Sequence, residues 1–145
     1  MTAPDVNLLV YALRSDLPLH AQARRWLEEK LQSGDPLLIF PVVIASFVRV
    51  VTNRRVFAQP TELSVALDFV NSLLSAGQVH LANAGPRHLV LFLELCQRVG
   101  ARGDLVQDAY LAALALEQGC VWVSTDRDFA RFPNLRWQHP FEPKT

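Results

Sequence analysis

Asp108 stands directly before an unbroken apolar run, Ala109 to Leu116, that makes its helix apolar on every side and therefore buried. A carboxylate at the mouth of such a helix is costly to ionise alone. Asp104 takes the N-cap position, with Gln107 three residues later in capping-box spacing, so Asp108 is surplus to capping. An acid resting near the positive end of a helix dipole is the plain alternative, and the apolar context argues against it. Gly119 stops the helix, and Cys120-Val121-Trp122-Val123 then reads as a parallel strand covered on both faces. Ser124-Thr125-Asp126-Arg127-Asp128 follows at the carboxyl end of that strand, where open α/β sheets place their ligands. Thr125 with Asp128 three residues on is a helix start, so capping accounts for Asp128 and leaves Asp126 unexplained. Converging carboxylates usually share a divalent cation, which makes Asp108 and Asp126 candidate ligands, with Asp104 one turn away on the same face.

The elements that would bring these acids together alternate along the chain. A stunted strand ends near Asp5, limited by Pro4, which cannot donate to a central ladder; the apolar run from Val6 fits either a strand or a buried helix, and a helical turn is the favoured reading. Asp5 gains interest only from that run, which should carry the chain inward. Leu19 to Ser33 is helical, closed by Ser33-Gly34-Asp35-Pro36, and Leu37 to Phe40 is a second short strand. Pro41 opens a helix through Val51 despite its β-branched residues, because ten residues pass without a turn signal after a strand. Thr61 to Ser75 is a helix with a wide apolar stripe that includes Leu63, Leu67 and Val70. Val79-His80-Leu81 is a third strand, Pro86 to Val99 a further helix, and Leu135-Arg136-Trp137 a last strand. The expectation is one α/β domain over residues 1–145, a mainly parallel, short-stranded sheet sandwiched by helices.

Composition narrows the function classes. The 14 acidic and 14 basic residues balance, so any polyanion must be held by local positive patches. Cys96 and Cys120 sit in a helical pattern and an apolar strand, without zinc spacing, and read as small buried residues. No stretch approaches the ~18 apolar residues that span a bilayer, and no secretory pattern leads the chain, so a cytoplasmic location is expected.

Four segments fall in the order and spacing of one family: Asp5-Val6-Asn7-Leu8-Leu9-Val10-Tyr11-Ala12, Phe47-Val48-Arg49-Val50-Val51-Thr52, Asp108-Ala109-Tyr110-Leu111-Ala112-Ala113-Leu114-Ala115, and Ser124-Thr125-Asp126-Arg127-Asp128-Phe129. Together with the Phe132 to Trp137 tail they resemble PIN-domain proteins over essentially the whole chain, and most closely the VapC toxins of bacterial toxin–antitoxin pairs. The resemblance implies an endoribonuclease whose acids hold Mg²⁺ or Mn²⁺ for hydrolysis of an RNA phosphodiester. Its metal-binding aspartates map onto Asp5 and Asp108, with Asp126 completing the cluster and Asp128 beside it. It also implies a homodimer held inactive by a small VapB-like antitoxin.

The chain departs from the family pattern at Ser46, where a Glu usually precedes the Phe-Val-Arg-Val-like run; Asp104 is the nearest replacement acid. Arg49, one turn after Ser46, and the loop pair Arg54-Arg55 are the candidates for RNA phosphate, against a reading as solvated arginines. Ser46 keeps open a second class, a catalytically weakened module that binds RNA or protein. A phosphoacceptor receiver domain is set aside, because Asp5 has no acidic neighbour and the only lysines are Lys30 and Lys144.

Overall fold

The computed structural model describes residues 1–143, so Lys144 lies outside the described residues. At its centre is β1 (Thr2–Pro4), flanked by β2 (Leu37–Ile39) and β4 (Val121–Val123), with β3 (Val79–Leu81) and β5 (Trp137–Gln138) at the edges. The strand order is β3-β2-β1-β4-β5 and every pairing is parallel, as expected for the α/β class. Between the strands run α1 (Val6–Leu13), α2 (His20–Gln32), α3 (Pro41–Val51), α4 (Leu63–Ser75), α5 (His88–Val99) and α6 (Asp104–Gln118). The chain builds outward from β1 to β3, then returns through α5 and α6 to β4 on the other side of β1. Right-handed crossovers running in opposite directions put the two sets of helices on opposite faces. Accordingly α1 packs on α2 and α3, whereas α5 packs on α6.

Pro4 is tolerated in this central strand because of where its missing N–H would point. Thr2 donates to Pro36 O on the β2 side at 3.2 Å, and Asp5 donates to Val123 O on the β4 side at 2.8 Å. Alternation turns the Pro4 nitrogen toward β2, and β1 pairs with β2 only at Thr2 while it pairs with β4 through Pro4.

Sequence and packing agree on the helices, with one shift. Pro41 opens α3 after an extended Phe40, and the β-branched run that follows buries Val43, Phe47 and Val51 at helical spacing. In α4 the core face is Ala66, Val70 and Leu73, so Leu63 and Leu67 of the expected stripe are exposed instead. Trp122 of β4 is fully buried between Phe40 and Phe129, at ring-centroid distances of 6.5 and 5.6 Å. This apolar plug underlies the carboxyl ends of β1 and β4. Cys120 is buried and Cys96 half-buried, both free. Among the described residues no helix is long and apolar enough to cross a membrane.

Candidate metal centre

The strand order reverses between β1 and β4, and such a switch point opens a crevice at the strand ends. Asp5 is the first residue past β1, and Ser124 the first past β4. Asp5 caps α1, its Oδ1 accepting from Val6 N–H at 2.7 Å, and its Oδ2 accepts from the Ser124 hydroxyl at 2.6 Å. Ser124 Oγ in turn accepts from Asp126 N–H at 3.0 Å, and the Ser124 carbonyl accepts from Trp137 Nε1–H of β5 at 3.1 Å. Burial pushes the Asp5 carboxyl up to about 6, against the lowering effect of both hydrogen bonds, and Asp126 nearby adds to the rise.

Asp108 enters the same crevice from the first turn and a half of α6. One carboxylate oxygen each from Asp108, Asp126 and Asp128 lie within 4.8 Å of one another. The Asp108 carboxyl is raised to about 7, first by desolvation and then by the negative charges of Asp126, Asp5, Asp128 and Asp104, and no hydrogen bond to a described residue offsets this. Asp108, Asp126 and Asp128 thus form the tightest group. Asp5 lies beside it, joined through Ser124 and close enough to act on Asp108 by charge.

Two capping assignments are corrected. Asp104 is not the N-cap of α6: Gly103, at φ 56°, holds that position, and Asp104 is the first helical residue, exposed and without a capping bond. The amides of Leu105 and Val106 reach back to the carbonyls of Arg102 and Gly103, at 3.2 and 3.0 Å, so the turn closes on backbone alone. Asp126, not Thr125, caps the 3₁₀ turn Arg127–Arg131, its Oδ1 accepting from Asp128 N–H at 2.9 Å. The Ser124 bond to the Asp126 amide sets the turn one residue later than the sequence suggests. Capping therefore explains part of Asp126, and it is Asp128 whose exposed carboxylate has no local role.

A cavity of about 440 Å³ opens beside these acids, and Asp5, Asp108, Ser46, Arg49 and Asn7 are among its lining residues. Ser46 thus faces the acids from α3, at the place where the resemblance leads one to look for a carboxylate. Arg49 joins it one turn on. Arg54 and Arg55 are exposed on the loop after α3 and are not part of the cavity wall. Sequence reasoning missed Ser124, although a buried hydroxyl between an apolar strand and an acid was visible as a signal. It also missed Asn7, the one polar residue in an apolar run, whose buried Oδ1 has no partner among the described residues.

The residues fit a small hard cation. Three carboxylates that each offer an oxygen within 4.8 Å of the others are an all-oxygen donor set of the kind Mg²⁺ or Mn²⁺ takes, directly or through water. Burial first and the crowding of like charges second favour proton uptake when no cation is bound, and the raised Asp108 carboxyl expresses both.

A sequence model described as the PIN domain matches residues 3–135. Ribonuclease VapC43 of Mycobacterium tuberculosis is 46% identical over 145 residues, covering 100% of this chain and 99% of that protein. Ribonuclease VapC25 of the same organism is 45% identical over 137 residues, covering 94% and 96%. Among solved structures, VapBC2 from Rickettsia felis, bound to a DNA fragment from its promoter, gives a TM-score of 0.71 at 17% identity over 95% of this chain and 97% of that one.

Proposed function

The chain belongs to the PIN-domain family, among the VapC ribonucleases, and from that membership and the acid group we propose that it is the endoribonuclease toxin of a toxin–antitoxin pair, dependent on Mg²⁺ or Mn²⁺. The observation that carries the metal assignment is the meeting of Asp108, Asp126 and Asp128 at the switch point of the sheet.

In this reading Asp108, Asp126 and Asp128 hold the cation, directly or through water, and Asp5 completes the negative wall behind them. A divalent cation bound there lowers the pKa of water and offsets the charge that develops on the phosphoryl oxygens. Ser124 keeps Asp5 and the Asp126 backbone in register, so the carboxylates are placed before substrate arrives. Arg49, on the cavity wall, sits where its guanidinium can hold a phosphate of the RNA strand, and Arg54 and Arg55 extend the positive surface along the strand. Ser46 supplies no charge, so the cation rests on fewer acids than the family pattern offers.

Family membership supports a set of partners that we propose for this chain: RNA as substrate, a VapB-like antitoxin whose binding silences the site, and a second copy of the chain, with a cytoplasmic location. The exposed apolar residues Leu89, Val90 and Leu93 of α5 are the face we assign to self-association, checked by sedimentation of the wild type and Leu93→Glu.

The test of function is cleavage of cellular RNA with Mg²⁺ or Mn²⁺ by the wild type and by Asp108→Asn. Cleavage by the wild type alone supports the assignment. Equal cleavage by both removes the site, and cleavage by neither leaves a binding module.

A further inference from the structure

The cavity beside the acids is larger and more apolar than a hydrated cation requires. Beyond Asp5 and Asp108 its wall is formed by Val6, Val10, Tyr11, Val50 and Phe57, among others. Phe57 is a partition: it also lines a second cavity, which includes Arg14 and Asp16. On that second side the Arg14 guanidinium carbon lies 3.7 Å from the centre of the Phe57 ring.

Arg14 is buried, and its donors are engaged. Nε and Nη2 grip the Asp16 carboxylate at 3.1 and 2.9 Å, while Nη1 reaches the Gln59 carbonyl at 3.0 Å and Thr61 Oγ1 at 3.2 Å. The loop carrying Phe57 is thus tied to the end of α1. It is tied to its own base as well, by Phe57 N–H to Asn53 O at 3.0 Å and Thr61 N–H to Val51 O at 2.8 Å. An aromatic ring held this firmly beside an acid group is ordered before any ligand arrives.

We propose that Phe57 is the stacking wall for one unpaired RNA base adjacent to the phosphate being cut, and that Arg14 is the positioning residue that holds the ring in place. The proposal rests on the ribonuclease reading above. Continuity with the acids decides the occupant: Phe57 lines the same cavity as Asp5, Asp108 and Arg49, so a strand whose phosphate meets those groups has a neighbouring base within reach of the ring. Single-stranded RNA is recognised through bases splayed onto aromatic rings, and every base offers a π face. A ring already immobilised loses little further freedom on contact.

The test uses the full chain with Asp108→Asn, to prevent cleavage, and fluorescein-labelled single-stranded decaribonucleotides of A, C, U and mixed sequence, read by anisotropy. Adding Phe57→Leu should weaken binding of at least one of them by about tenfold or more, the scale of a base–aromatic stack. Phe57→Trp should stay within about twofold, and the slope of affinity against salt should not change, because no phosphate contact is lost. Arg14→Lys should reproduce the Phe57→Leu loss, and the same two substitutions made in the chain that keeps Asp108 should leave Mn²⁺ binding at the wild-type level. Equal binding by the parent and Phe57→Leu, equal losses for Leu and Trp, or no binding to any oligonucleotide would overturn the proposal. A wild type that binds RNA through Phe57 without cutting it would overturn the ribonuclease reading alone. A wild type that cuts RNA with a KM indifferent to Phe57→Leu would overturn the stacking wall alone.

Discussion

The Ser124 hydroxyl donates to Asp5 Oδ2 at 2.6 Å across 119 residues of chain, and this bond, at the ends of two adjacent parallel strands, fixes the back of the acid group. Ser124→Ala removes the donor and leaves a buried carboxylate oxygen without it. The expected outcome is a loss of roughly 2 kcal/mol in urea unfolding, the usual range for a hydrogen bond to a charged group. Because the bond lowers the Asp5 pKa, its removal should raise that value further, observable by carboxyl NMR titration. An unchanged titration would mean that Ser124 only packs.

Asp108→Asn should separate function from stability. Loss of groups that merely orient metal ligands typically lowers activity by about 10–100-fold, so loss of Asp108 itself should reach at least the upper end, about a hundredfold. In EDTA near pH 8, however, the variant should melt above the wild type, because burial and then the charges of Asp126, Asp5, Asp128 and Asp104 raise the energy of an ionised Asp108. Differential scanning calorimetry checks the second outcome, and a lower melting temperature would contradict it.

The pH dependence of the metal-free protein follows from the same groups. Asp108 is raised to about 7 and Asp5 to about 6, from the ordinary carboxylate value of 3.8, so across that interval the folded chain holds more protons than the unfolded one. The contribution of these groups to stability is complete at low pH and declines as pH rises through roughly 4 to 7. Melting temperatures in EDTA should therefore drop across that range by more in the wild type than in Asp108→Asn. Saturating Mn²⁺, which favours the ionised acids, should reduce the drop.

Ser46→Glu places a carboxylate on the α3 side of the cavity, facing Asp5 and Asp108. Divalent cations should bind more tightly, because affinity follows the number of charged ligands. Isothermal titration with Mn²⁺ should show a gain of about tenfold, roughly 1.4 kcal/mol. In EDTA the same variant should be less stable than the wild type, through added like-charge repulsion. Tighter metal without lower metal-free stability would place residue 46 outside the charge field of the acids.

The alternation of strands and helices was legible from short apolar runs and their stops, and Pro41 identified α3 as a helix against the β propensity of its residues. Asp108 and Asp126 stood out because apolar context makes a carboxylate conspicuous. What the chain order concealed was local. Gly103 at φ 56° caps α6 through backbone geometry, which no side-chain pattern announces, and so Asp104 was misplaced by one position. Ser124 shifted the 3₁₀ turn by engaging the Asp126 amide, a bond that depends on Asp5 drawing the same hydroxyl from a distant strand. The grip of Arg14 on Gln59 and Thr61, and the face it presents to Phe57, likewise arise from contacts between segments far apart in sequence.

The position of β4 beside β1 also sets when the acid group can first exist. A ribosome making this chain releases Asp5 near the start and Asp126 near the finish, and the central strand lacks its neighbour on one side until the last fifth of the polypeptide has emerged. A nascent or truncated product therefore carries β1 and Asp5 but no assembled cluster.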